Sequence, residues 1–154
     1  MLHIALYEPE IPPNTGNIMR LCANTGAQLH LIEPLGFSLD EKSLRRAGLD
    51  YREFADVHTY PDYAAFSEAI GARRLFALTT KASRAYSDAR MEDEDVFLFG
   101  PETRGLPASV LDALGPSQCL RVPMLAHSRS LNLSNTAALV LYEGLRQLGF
   151  PGMG

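Results

Sequence analysis

The chain has 154 residues, 46% of them hydrophobic, with 14 basic and 18 acidic side chains and a net charge of −4. That length suits one domain with a sizeable core, spanning 1–154, and no stretch is apolar enough to read as a membrane span, so no membrane partner is expected. The net charge speaks against a nucleic-acid partner, yet four of the 18 acids are the single run Glu92-Asp93-Glu94-Asp95, and 12 of the 14 bases are arginine, the side chain suited to gripping phosphate with two donors.

The chain opens on Leu2–Tyr7, a strand-like run without a basic leader, so the cytoplasm is the expected location. The spacing predicts a helix over Gly16–Thr25, opened by Asn14 and closed by Gly26. Ile18, Leu21, Cys22 and Thr25 form its buried stripe, and Asn17, Arg20 and Asn24 share the opposite face. That face carries no acid, which leaves the Arg20 guanidinium available to an anion. A strand at Gln28–Ile32, a helix at Asp40–Ala47 and a helix at Asp62–Ile70 follow. Then come strands at Arg74–Thr79 and Val96–Phe99, a helix at Ala108–Leu114, a strand at Cys119–Val122 and a last helix at Asn135–Leu148, with Ser134 or Asn135 as its cap. Strands rich in Leu, Ile, Val and Phe, with little alternation, belong to a sheet covered on both faces. Their interleaving with helices predicts an α/β fold with a mostly parallel sheet and helices on both faces. Thr136–Tyr142 is apolar or neutral on nearly all sides, so a second subunit is the expected cover and a homodimer is predicted.

Three loops carry polar chemistry. Residues 12–26 bring Asn14 and Arg20 after two stiffening prolines. Residues 99–107, Phe-Gly-Pro-Glu-Thr-Arg-Gly-Leu-Pro, follow a buried strand, and Gly100 and Gly105 let a ligand approach the backbone around Glu102. Residues 121–135 gather Ser128, Arg129, Ser130, Asn132, Ser134 and Asn135 before a helix, more polar groups than a cap requires. The glycine spacing is not that of a dinucleotide-binding turn, so NAD is disfavoured. The histidines at 3, 30, 58 and 127 are scattered, and Cys22 and Cys119 show no ligand spacing, so no metal is expected and both thiols are read as reduced core residues.

Taken together, Leu6-Tyr7-Glu8-Pro9-Glu10 through Asn24-Thr25-Gly26, Phe99–Pro107 and Ser130–Asn135 resemble the ordered motifs of the SPOUT superfamily of RNA methyltransferases. More narrowly, the whole chain resembles the small tRNA 2′-O-methyltransferases that act on wobble position 34. The resemblance implies a deep trefoil knot in the C-terminal part of the sheet, a departure from the usual rule against knots. It also implies S-adenosylmethionine as cofactor and a homodimer as the active unit. Matching letters assign the catalytic motif positions to Asn14, Arg20, Glu102, Ser130 and Asn132. Cofactor contacts would fall at Leu78, Thr79, Gly100, Glu102, Gly105, Val122, Met124, Ser130 and Leu131.

Lys42, Arg45, Arg46 and Arg129 are the candidate contacts to tRNA, whose anticodon stem-loop is the implied element. Asp40 and Glu41 stand beside the first three as potential partial neutralisers. The alternatives are 2′-O-methylation of another tRNA or rRNA position, and a non-catalytic RNA-binding module.

Overall fold

The computed structural model describes residues 1–154. Six strands form one sheet: β1 (His3–Tyr7), β2 (Gln28–Ile32), β3 (Val57–Tyr60), β4 (Leu75–Leu78), β5 (Val96–Phe99) and β6 (Cys119–Leu120), in the spatial order β3-β2-β1-β5-β4-β6. All five pairings are parallel. The α-helices are α1 (Pro12–Thr25), α2 (Glu41–Arg46), α3 (Tyr51–Phe54), α4 (Tyr63–Ile70), α5 (Ala108–Leu114) and α6 (Leu133–Gln147).

Strand side chains alternate between two cores, as the pleat requires. Ile4, Leu6, Phe97 and Phe99 face Ile18 and Cys22 of α1 and Val140 and Leu141 of α6. Ala5, Val96 and Leu98 face Phe66 and Ile70 of α4 and Val110 of α5. Both faces are thus covered, which is why the strands read as continuous apolar runs rather than alternating ones. Because the strands are parallel, the loops that follow β1, β4, β5 and β6 emerge on the same edge of the sheet, where ligands bind in such folds.

Several elements differ from the sequence-based expectation. Helix α1 begins at Pro12, with Ile11 as its cap and proline at the first position, where a missing N–H costs nothing. Asn14 therefore does not open the helix; it lies inside the first turn and is buried, as are Thr15 and Met19. Asn132, not Ser134 or Asn135, caps α6. The edge strand β3 and the short helix α3 were not expected. In β3 both His58 and Thr59 are exposed, so no apolar run marks it.

Helix α6 buries Ala137, Val140, Leu141, Gly144 and Leu145 but leaves Leu139 and Tyr142 exposed at 43% and 42%. The acidic run is consumed within the fold. Asp95, 1% exposed, takes a two-pronged hydrogen bond from Arg74 at 2.8 and 2.7 Å, and Glu94 pairs with Arg73 at 3.0 Å. Glu94 also meets His3 Nε2 at 2.9 Å, a His–carboxylate pairing that spacing along the chain does not announce. Three of the four histidines also gather in the fold: His3 Nδ1 lies 3.0 Å from His30 Nε2, His30 Nδ1 2.7 Å from the Tyr60 hydroxyl, and the His58 ring stacks on His30, while His127 stays apart. Both cysteines are free and buried, and burial pushes the Cys22 thiol up to about 12.

Candidate functional site

Two polar loops and the start of α1 are joined by one hydrogen-bonded chain. The Asn132 amide oxygen caps α6, accepting from the backbone N–H groups of Ser134 at 2.9 Å and Asn135 at 3.3 Å. Its amide nitrogen donates to Asn14 Oδ1 at 3.1 Å, and Asn14 Nδ2 donates to Glu102 Oε2 at 3.3 Å. An ionised carboxylate only accepts, so Glu102 fixes which end of the Asn14 amide faces which partner. Glu102 goes further: its two oxygens accept the backbone N–H groups of Glu10 at 2.8 Å and Ile11 at 2.9 Å. Helix α1 has no side-chain cap of its own and no acid in its first turn. Glu102 supplies the negative charge favoured there, from 91 residues away in the chain.

These joined loops wall a cleft of about 490 Å³, within the range of small-molecule sites. Leu78, Thr79, Gly100, Glu102, Gly105, Val122, Met124, Ser130 and Leu131 all lie in its lining, as do Asn14, Asn132 and Arg129. The wall combines apolar surface from Leu78, Leu106, Val122, Met124 and Leu131 with the polar edges of the Glu102 and Ser130 segments. The residue at 100 has no room for a side chain. A Cβ there would stand 2.5 Å from the Leu106 backbone nitrogen and 2.6 Å from the Gly105 carbonyl carbon. Gly105 itself adopts φ +70, where glycine carries no steric cost. Arg104, the guanidinium of the 99–107 loop, also lines the cleft, as do Thr80, Lys81 and Thr103, which no sequence motif singles out. Thr80 and Lys81 directly follow Thr79 at the end of β4, so their position after a buried strand was the available signal.

Arg20 stands apart from this cleft. Its side chain is half exposed, and its Nε donates to Glu53 Oε2 at 2.6 Å while Nη2 donates to the Gly48 carbonyl at 3.0 Å. The α1 face carries no acid, as expected, but Arg20 is not left wholly available to an anion: its acid comes from α3. Glu53 is locked by the cap of α3, where it accepts from the Asp50 N–H at 3.0 Å and Asp50 accepts from the Glu53 N–H at 3.0 Å. These contacts hold the Glu53 carboxyl below the usual carboxylate range, the Asp50 N–H first and Arg20 second. The Asp-x-x-Glu pattern at 50–53 was the readable signal for both helix and acid.

Lys42, Arg45 and Arg46 lie on α2, outside the cleft. Arg45 is paired with Glu41 at 2.8 Å, whereas Asp40 is occupied in capping the helix through the Ser43 N–H at 2.7 Å. Lys42 and Arg46 are exposed.

Residues 1–142 match the profile of the SpoU rRNA Methylase family. A tRNA (cytidine(34)-2'-O)-methyltransferase of Escherichia coli strain K12 is 63% identical over 152 residues, covering 99% of this chain and 97% of that protein. A crystal structure from Bacillus anthracis superposes with a TM-score of 0.93 at 47% identity, covering 99% of this chain and 98% of that one. Another solved structure, concerned with 2-OH methylation of C/U34 on tRNA, superposes with a TM-score of 0.87 at 45% identity over 97% of both chains.

Proposed function

This chain belongs to the SpoU rRNA Methylase family, and we propose that it is an S-adenosylmethionine-dependent methyltransferase acting on the ribose 2′-hydroxyl of wobble nucleotide 34 of tRNA. The observation that carries the reading is the single cleft walled by the loops after β4, β5 and β6 and tied to α1 through Glu102, Asn14 and Asn132. Its volume and its mixture of apolar wall with polar edge suit a nucleoside bearing an amino-acid tail. Leu78, Gly100, Val122, Met124 and Leu131 are the residues that would hold it. When bound, S-adenosylmethionine supplies an electrophilic methyl group on a sulfonium. The knotted threading implied by the sequence resemblance belongs to this reading, as do the cytoplasmic location and the single domain.

The chain's own residues must then align the hydroxyl and deal with its proton. A guanidinium has no lone pair to accept a proton, so Arg20 acts as a hydrogen-bond donor and anchor. With Nε and Nη2 occupied by Glu53 and Gly48, the Nη1 edge of Arg20 is left to grip a phosphate and to donate to the 2′-oxygen. The hydroxyl proton leaves to phosphate or water. Arg20 does not line the cleft of its own chain. Together with exposed Leu139, Tyr142 and Ile11, this favours a homodimer in which Arg20 serves the partner's cleft. Arg129, in the cleft wall, and Lys42 and Arg46 of α2 contact the anticodon stem-loop, with Arg45 a weaker contributor because Glu41 already holds it.

Incubation of the purified protein with S-adenosylmethionine and tRNA, followed by mass mapping of nuclease fragments, tests the reading. A single added methyl on the ribose of residue 34 supports it. A methyl elsewhere selects the alternative of another tRNA or rRNA position, and RNA binding without any cofactor affinity selects the non-catalytic module.

A further inference from the structure

The Glu10 side chain has no role in anything derived above, yet both its backbone and its carboxylate are engaged. Its backbone N–H donates to Glu102 Oε1 at 2.8 Å. Its own carboxylate reaches back across the same gap, where Oε1 accepts from the Thr103 backbone N–H at 2.9 Å and from the Thr103 hydroxyl at 2.7 Å. Two acids thus bridge the same pair of loops in opposite directions, Glu102 holding two backbone donors of the other segment and Glu10 one backbone donor and one hydroxyl. Arg104 adds a third tie, with Nη2 3.2 Å from Glu8 and Nε 3.6 Å from Glu10.

The backbone carrying Glu10 cannot drift to compensate. Gly36 packs so closely that a Cβ there would lie 2.8 Å from the Glu10 carbonyl oxygen and 2.9 Å from its Cα, while the Gly36 N–H donates to the Pro9 carbonyl at 2.9 Å. Glu8, two residues earlier, sits at φ 46, a conformation costly for a residue with a side chain. The fold tolerates that strain in the turn that aims Glu10 at Thr103. The Thr103 N–H, first among these partners, keeps the Glu10 carboxyl below the usual carboxylate range, so the grip is charged at neutral pH.

We propose that Glu10 is a positioning residue for the cleft: with Glu102 it forms a reciprocal carboxylate clamp that holds the 100–105 loop in its cofactor-ready shape before any ligand arrives. The inference rests on the methyltransferase reading only for the identity of the ligand. Thr103, Arg104 and Gly105 all line the cleft, so fixing Thr103 fixes part of the wall. A preorganised wall binds more tightly because its ordering has already been accomplished in folding. The Glu10 carboxylate bonds Thr103 and Arg104 and makes no contact with Arg20, so its loss falls on cofactor affinity and not on the chemical step.

Glu10→Ala, Glu10→Gln and wild-type protein decide the matter by two measurements. The first is amide hydrogen exchange in the free protein, which needs no ligand. Exchange across 102–105 is expected to rise about tenfold or more in Glu10→Ala. It is expected to stay near wild type in Glu10→Gln, whose amide oxygen still accepts from Thr103. The second is calorimetric titration with S-adenosylmethionine alongside steady-state kinetics. Glu10→Ala is expected to raise Kd and KM for the cofactor by about tenfold, with kcat at saturating cofactor within about twofold of wild type, and Glu10→Gln to recover most of the affinity. Unchanged exchange in Glu10→Ala overturns the clamp, as does a loss that appears in kcat rather than KM or that Glu10→Gln fails to restore. If Glu10→Ala does not fold, Thr103→Ala, which removes only the hydroxyl donor, is expected to give a smaller loss of the same kind, and wild-type affinity in that variant overturns the proposal. Absence of cofactor binding by the wild-type protein, with the exchange difference intact, rejects the methyltransferase reading and leaves the clamp standing.

Discussion

The guanidinium of Arg20 and the carboxylate of Glu53 form a 2.6 Å contact between α1 and α3, and Glu53 is itself fixed by the cap of α3. The pair holds the plane of the guanidinium and leaves one edge free. Arg20→Ala is therefore expected to abolish methyl transfer while leaving cofactor titration within about threefold of wild type. Arg20→Lys is expected to be poor as well, since a point charge cannot keep both the Glu53 contact and a planar second edge. Turnover near wild type in either variant removes Arg20 from the mechanism.

Asn132 does two jobs, capping α6 and fixing Asn14. Asn132→Ala is expected to cost about 1 kcal/mol through the lost cap alone, seen as a lower midpoint in urea. The freed Asn14 amide is expected to loosen the 100–105 loop. Asn132→Asp keeps an accepting oxygen for the cap but replaces the amide donor to Asn14 Oδ1 with a second acceptor. It should retain most of the stability and lose activity.

Gly100 tests the close approach behind the cleft. With backbone atoms at 2.5 and 2.6 Å from the position of an added Cβ, Gly100→Ala forces the 105–106 backbone to move. A loss of about 1–3 kcal/mol is expected, with cofactor binding falling further than stability. Gly26→Ala, at φ 78 but with nothing near the added Cβ, should cost about 1 kcal/mol and leave binding alone.

His30 gives the protein an acid-side limit. Burial, reinforced by neighbouring His3, lowers it to about 3, so the folded state keeps it neutral while the unfolded chain takes up a proton below about 6.5. Its contribution is thus full above about pH 6.5 and is lost progressively as pH falls toward 3. Glu94, held at about 2 chiefly by His3, works in the same direction at lower pH. Stability from urea melts is expected to fall on the order of 1–2 kcal/mol between pH 7 and pH 5, and a flat profile over that interval contradicts the assignment.

Lys42 and Arg46 are expected to act on tRNA through phosphate. Each alanine variant should weaken binding at all RNA sequences and lower the slope of log affinity against log salt by about 1. Arg45→Ala should do less, because Glu41 already neutralises that side chain. Equal slopes for all three variants and wild type place the RNA elsewhere.

The sequence by itself determined the alternation of strands and helices, the parallel sheet buried on both faces, and the polar loops from which the cleft is walled. Those properties are local: apolar runs, glycine and proline punctuation, and amide- or serine-rich turns are written within windows of a few residues. The tertiary structure alone decided who partners whom. Asn14 looked like a helix opener because its type and place fit one, but Ile11 holds that position and Asn14 bridges Glu102 and Asn132. The helix of Arg20 offers no acid of its own, yet Glu53 lies against it from a four-residue helix marked only by its Asp50–Glu53 cap. The charge of the acidic run suggested nothing about Arg73, Arg74 or His3, which the fold sets beside it. A side chain's partner depends on where the distant chain returns, and no local pattern encodes that path.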